Sequence, residues 1–412
     1  MSSTFQPSEV IDALLLAARR FSDSDRFITW SWSSVSASIV LATILTALLL
    51  RQFVLKTPRV EGGRVIAPSS TTEKQGETQK MTQAKVKPAD GTVRVSQILI
   101  HPIKSCRGTS VQSVKYTPQG LENDRKWCIV DAKTSTVITA REVAKMVLIV
   151  PQIDVDAASR HGGTLTVTFP EDSGCKPFSL PLQPSQEVLD TWEILPKIGF
   201  FASHVDGYIS TSPPSLFPSQ DPSTPSTTLS TYFGKPVHLV YKGPSARAVD
   251  ATYEFPELKA TSVFQDMYPL LVLSEESMGE VEREVRSRLG TQGIDEEVWR
   301  EGKVVIRRFR PNIVLSGGGP FAEDQWEEIA IGRKDAPKIT LVSKCARCLL
   351  PNVSPDTGER DKAVPYKVIM KFRTGLDPLN KMKPCIGCNG VPEAAGVVSV
   401  GDVVFVRKMI GE

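Results

Sequence analysis

The run LVSKCARCLLPNVSPDTG at 341–358 decides how this chain is read. It continues KITLVS at 338–343, an apolar segment of strand character, into two thiols and a guanidinium, Cys345, Arg347 and Cys348. A Pro-Asp-Thr-Gly turn then closes it. A thiolate is a soft ligand, and a fixed positive charge beside it favours that form, so the pair Cys345 and Cys348 is a candidate for binding a soft metal.

Working outward, short β-rich runs flank this stretch on both sides. Upstream stand VVIRRF (304–309), NIVLSG (312–317) and IAIG (329–332); downstream stands VVFVRK (403–408). One amphipathic helix is legible, SEESMGEVEREVRSRLG from Ser274 as cap to Gly290, with Met278, Val281, Val285 and Leu289 as its apolar stripe. Further back come VRVSQILI (93–100), KWCIVD (126–131), TVITA (136–140), MVLIVPQIDV (146–155), LTVTF (165–169) and VHLVY (237–241), separated by turn residues. The expected body is α+β and predominantly β, its strands closing into a barrel. Residues 211–228 are too rich in Pro and Ser to pack and read as a surface loop.

From Phe27 to Leu50 there are 24 residues without a formal charge, enough for one transmembrane helix as anchor, with 1–26 as a tail. Trp30 and Trp32 mark one interface and Arg51 and Lys56 the other. Residues 51–92 lack the apolar clusters of a folded segment and read as a disordered tether. The basic bias of the flanks places the body on the cytosolic side.

Composition narrows the function classes. Charged residues make up 23% of the chain and the net charge is +3, so no global field points to nucleic acid. Seven cysteines and four histidines fit neither a disulfide framework nor a histidine-rich metal site. No G-x-G-x-x-G occurs, so no built-in nicotinamide or flavin domain is expected. Cys385 and Cys388 form a second Cys-x-x-Cys, which opens a four-thiolate zinc reading with Cys345 and Cys348. However, 36 residues separate the pairs, against roughly 15–20 in a compact zinc ribbon.

HPIKSC (101–106), NDRKW (123–127), ITARE (138–142), FRPN (309–312), CARC (345–348) and SPDTG (354–358) together resemble the molybdenum cofactor sulfurase C-terminal (MOSC) domain family, within it the mitochondrial amidoxime-reducing components in a fungal-like, membrane-anchored form. The resemblance implies an N-terminal MOSC β-barrel-like domain at 93–241 and a C-terminal MOSC domain at 260–408. It implies a molybdenum cofactor with Cys348 as its protein ligand, and Asp266 as a further catalytic position. Lys104, Ser105, Arg125, Arg310, Asn312 and Arg347 fall on its cofactor-contacting positions. The implied reaction is reduction of amidoximes and hydroxylamines to amines. Electrons would come from NADH through NADH-cytochrome b5 reductase and cytochrome b5, at the outer mitochondrial membrane or the endoplasmic reticulum. Met267, Tyr268 and Ala346 depart from the family's small hydroxyl residues. Nothing supports a Schiff-base lysine for pyridoxal phosphate. Two other classes stay open: a sulfur carrier or maturation protein for the cofactor, and a zinc-stabilised membrane scaffold without catalysis.

Overall fold

In the computed structural model, the described residues are 87–211 and 224–412. The expected tail and anchor, most of the tether and residues 212–223 of the Pro/Ser-rich stretch lie outside them. Among the described residues no helix is long and apolar enough to cross a membrane.

The chain is predominantly β. An eight-stranded sheet runs in the order Thr109–Val111, Arg94–Ile100, Ile313–Ser316, Leu270–Ser274, Cys385–Pro392, Ile339–Ala346, Trp326–Ile331 and Val404–Met409. Its strands are mostly Val, Ile and Leu, and Ile98, Ile313, Val272 and Ile329 are fully buried. That is what a sheet covered by other elements requires. Strand Arg94–Ile100 lies antiparallel to Ile313–Ser316, with Ile98 opposite Ile313. Leu270–Ser274 runs parallel to Ile313–Ser316, with Val272 opposite Ile313. The first strand of the body therefore belongs to the sheet built mainly from the C-terminal half, not to the barrel that follows it.

That barrel closes through Glu193–Phe200, Ser203–Ile209, Val237–Lys242, Trp127–Asp131 and Thr136–Val137. Trp127, Cys128, Ile129 and Val130 are all buried, because one face of their strand packs on Leu239 and Tyr241 and the other on Val240 and Ile198. Trp127 stacks on Tyr241 at 4.7 Å between ring centroids, a tilted pair of the kind that stabilises by about 1 kcal/mol beyond burial.

Several local expectations are corrected. The helix spans Ser277–Arg286, and Ser274 ends a strand instead of capping it. Its hydroxyl is drawn inward to Glu323. VVIRRF at 304–309 ends in a 3-10 turn, Ile306–Phe309, and residues 144–148 form another before strand Val150–Val155. The end of the Pro/Ser-rich stretch is helical: Pro225–Phe233 starts at Thr224, whose hydroxyl accepts from Thr227 N at 3.2 Å.

Candidate functional site

Three neighbouring strands of the large sheet bring their connections to one edge. HPIKSC leaves Arg94–Ile100, the FRPN segment enters Ile313–Ser316, and residues 263–269 enter Leu270–Ser274. The CARC segment arrives at the end of Ile339–Ala346. Between them is a cleft of about 310 Å³. All eight residues singled out from the sequence line it: Lys104, Ser105, Arg125, Asp266, Arg310, Asn312, Arg347 and Cys348.

The backbone is held in unusual conformations there. Ser105, Arg125 and Arg310 have φ of 67°, 46° and 58°. A side-chain-bearing residue enters this left-handed region at a cost, and such strain concentrates at functional sites. Here it turns two guanidinium groups and a hydroxyl toward one space.

The charge balance is one-sided. Six cationic side chains line the cleft (Lys104, Arg125, Arg141, Arg310, Arg347 and Lys383) against the single carboxylate of Asp266. Lys104 is buried; it pairs with Asp266 and donates to Phe264 O at 2.9 Å, with Phe200 beneath it at 4.7 Å. Burial pushes its ammonium down to about 8, against the pull of Asp266. Burial on its own would raise Asp266, but Lys104, Arg141 and Arg125 outweigh it and hold the carboxyl well below the usual range. Asp266 is thus a fixed anion that positions Lys104.

Arg125 donates to Asp124 at 2.7 Å, to Asn312 Oδ1 at 3.2 Å and to the Arg310 carbonyl at 3.2 Å. Arg310 donates to Cys106 O at 2.7 Å, and burial, with Arg125 nearby, lowers it to about 10. Arg347 donates to Phe309 O at 2.8 Å and to Cys345 Sγ at 3.1 Å. Burial raises the Cys345 thiol while Arg347 opposes it. The guanidinium expected to sit on Cys348 is therefore placed on Cys345. Two buried donors, Arg310 Nη2 and Arg347 Nε, have no hydrogen-bond partner among the described residues. An unsatisfied buried N–H costs about 1–3 kcal/mol, and more when charged. An anionic group bearing several oxygens would satisfy such a set bidentately. The donor set fits a phosphate-bearing cofactor, and Cys348 supplies a soft atom on the same cleft.

Asn312 lines the cleft and also ties together the strands beneath it. Its Oδ1 accepts from Leu271 N at 3.1 Å and its Nδ2 donates to Leu99 O at 3.3 Å. The side chain is spent on tying strands together and on aiming Arg125. The departures also have a structural answer. Tyr268 sends its hydroxyl to Asp250 O at 3.0 Å. Met267 is 46% exposed. Neither replaces a donor inside the cleft. Arg141 was not singled out from the sequence; the ITARE motif carried the signal, and the structure sets its guanidinium 3.7 Å from Asp266 and over the Phe201 ring.

The zinc reading loses its geometry. Cys345 Sγ faces Arg347, whereas Cys388 Sγ lies against Glu323 O at 3.3 Å and Asp324 Oδ1 at 3.8 Å. Among the described residues no group of three or more His, Cys, Asp or Glu side chains is placed to hold a metal.

Comparison with known proteins agrees with this architecture. Residues 92–197 match the MOSC N-terminal beta barrel domain and residues 259–405 the MOSC domain. Mitochondrial amidoxime-reducing component 1 of Xenopus laevis is 30% identical over 345 residues, covering 81% of this chain and 85% of that protein. Its Homo sapiens counterpart is 29% identical over 324 residues, covering 76% and 82%. The molybdenum cofactor sulfurase of Danio rerio is 26% identical over 326 residues, covering 78% of this chain and 36% of that protein.

Proposed function

The chain belongs to the MOSC-domain family, alongside the mitochondrial amidoxime-reducing components, and from that premise we propose that it is a molybdenum-cofactor-dependent oxidoreductase reducing N-hydroxylated compounds to amines. The observation that carries this reading is the cleft itself: six cations, two of them with buried N–H groups that find no partner among the described residues, gathered with the Cys348 thiol.

In this reading Cys348 is the protein ligand to the metal. Arg310 and Arg347 hold the anionic end of the cofactor, with Lys104 and Arg125 neutralising charge beside them. Ser105 adds a hydroxyl donor. When bound, the cofactor supplies the two-electron chemistry at nitrogen-bound oxygen. The overall change is an amidoxime plus two electrons and two protons giving an amidine and water. Asp266 keeps Lys104 in place, and Lys104 Nζ, lowered to about 8, is a proton-bearing atom close to neutrality within the cleft. The electrons come from NADH through NADH-cytochrome b5 reductase and cytochrome b5. Residues 27–50 anchor the chain at the outer mitochondrial membrane, with the body facing the cytosol; tethering donor and acceptor to one surface raises their effective concentration.

The test is reduction of benzamidoxime by the full-length chain, reconstituted with NADH, the reductase and cytochrome b5, alongside elemental analysis. Turnover and bound molybdenum are expected in the native chain, and both are lost in Cys348→Ala. Persistent turnover in the variant, or no molybdenum in the loaded native protein, overturns the assignment. The sulfurase relative favours a second reading, in which Cys348 carries labile sulfur for cofactor maturation. Cyanide-releasable sulfur without benzamidoxime turnover would select it.

A further inference from the structure

Beside the cleft, Thr374 and Pro384 pair across the base of a loop that projects from the body. Its apolar side chains point outward: Leu376 is 37%, Leu379 62% and Met382 80% exposed. Large apolar residues this exposed, three within seven positions, are not the scattered singles of an ordinary surface. The loop is also built to stay in shape. Asp377 is buried inside it, accepting from Leu379 N at 3.0 Å and Asn380 Nδ2 at 2.8 Å, and Lys383 N donates to Asn380 O at 2.9 Å. With that acid turned inward, the exposed charges of the segment 371–383 are Lys371, Lys381 and Lys383. On the side of Leu376 and Pro378, a separate groove of mixed charge is bordered by Glu254, Glu412, Lys344 and Glu327, the last paired with Lys408 at 2.6 Å. The exposed charges of the loop segment itself are thus all cationic, and Lys383 carries that charge to the cleft.

The loop is wired to the candidate metal ligand. Lys383 lines the cleft, and the Pro384 carbonyl accepts from Arg347 N at 2.8 Å, one residue from Cys348. Resting on the function proposed above, we infer that this loop is where the electron donor docks: a small redox protein with acidic side chains around an exposed prosthetic-group edge. Each encounter delivers one electron, so two reduced donors are oxidised for each N–O bond cleaved, with two protons consumed and one water released. Preorganised apolar tips flanked by lysines of the same segment suit a short-lived complex, in which charge guides the encounter and a few apolar contacts orient it. A second copy of this chain docked loop to loop would bring lysines against lysines. A bilayer seated on the loop would keep a substrate cleft covered, whereas a transient donor leaves after each electron.

The experiment uses the full-length, cofactor-loaded chain in vesicles, with Leu379→Asp, Met382→Asp and Lys381→Glu made singly and together. Benzamidoxime turnover is measured with cytochrome b5 and its reductase, and separately with a small chemical reductant. The expected result is a rise of about tenfold in the KM for cytochrome b5 in the triple variant, with unchanged turnover on the small reductant. Weaker salt dependence of the donor KM should accompany it. A donor KM within about twofold of native sinks the docking assignment, as does an equal loss with both reductants, which would mark the loop as structural. Loss of vesicle binding by a variant body lacking residues 1–56, with donor KM unchanged, would assign the loop to the membrane and also overturn the proposal. If the native chain fails on the small reductant as well, the reductase function itself falls, and that outcome is distinct from the others.

Discussion

The guanidinium of Arg125 donates to Asn312 Oδ1 at 3.2 Å across 187 residues of chain. That one oxygen also accepts the backbone N–H of Leu271, while Asn312 Nδ2 reaches the carbonyl of Leu99. A single buried amide thereby fixes three strand ends and the aim of a cleft cation.

Asn312→Leu keeps the volume and removes every one of those bonds. It leaves the Leu271 N–H and the Leu99 carbonyl without their partners, so a loss of about 2–4 kcal/mol is expected. Urea unfolding of the body measures it. A loss under about 1 kcal/mol would mean that water satisfies these groups and the amide is not the pin described.

His101 predicts an acid limb in stability. Its ring is buried, and its pKa is pushed well below the ordinary value by burial and by the nearby Arg125 and Arg310 charges; the Asp124 carboxylate opposes this. The folded state holds the imidazole neutral while the unfolded chain takes up a proton below about 6.5. Stability is therefore complete above that pH and falls as pH drops beneath it, by up to about 1.4 kcal/mol per pH unit from this group. Urea midpoints at pH 7 and pH 5.5 should show the decline, and His101→Gln should flatten it. An unchanged slope in the variant would assign the acid sensitivity elsewhere.

The site was legible in the sequence further than the fold was. Cys348, Arg310 and Lys104 stand in compact motifs, and the resemblance of those motifs, not residue type alone, singled them out; the structure brings all three to one cleft. What pattern reading could not supply was the pairing of charges: adjacency in sequence put Arg347 on Cys348, whereas the chain geometry puts it on Cys345. Strands such as Ile313–Ser316 and Trp127–Asp131 are uninterrupted apolar runs and were visible, whereas Leu270–Ser274 was passed over because Ser274 was read as a helix cap. Glu193–Phe200 and Cys385–Pro392 were not, because Pro196 and Gly199 break the first, and Gly387 and Gly390 the second. Those glycines are required by close packing: a Cβ on Gly387 would stand 2.9 Å from the Val272 carbonyl, and φ there is 80°. Tertiary constraint chose a residue that local propensity counts against a strand.

Behind the cleft, Arg373 pairs with Asp324 in the interior, donates to Cys385 O at 2.9 Å and lies 4.0 Å over the Phe321 ring. Arg373→Met leaves the Asp324 carboxylate buried beside Glu323, already pushed up to about 7 by burial and by Asp324. A loss of about 3–5 kcal/mol is expected, the usual cost of stranding one partner of a buried pair. The double variant Arg373→Met with Asp324→Leu should recover part of it, since no charge is then stranded. Thermal unfolding of the three proteins reads this directly; a double variant no more stable than the single one would show that packing, not charge, sets the penalty.

Arg310 carries the sharpest ligand prediction, because its Nη2 is buried without a partner among the described residues and burial, with Arg125 nearby, lowers its pKa to about 10. An oxyanion entering the cleft relieves both penalties, so cofactor-free protein should be stabilised by inorganic phosphate. At a hundredfold excess over its dissociation constant the gain is about 2.7 kcal/mol, which appears as a rise of several degrees in Tm. Arg310→Lys keeps a charge but loses the planar fork, and should show less than half of that rise. Equal stabilisation of native and variant protein by phosphate would place the anion elsewhere, and would remove Arg310 from the set of residues that hold the cofactor's phosphate.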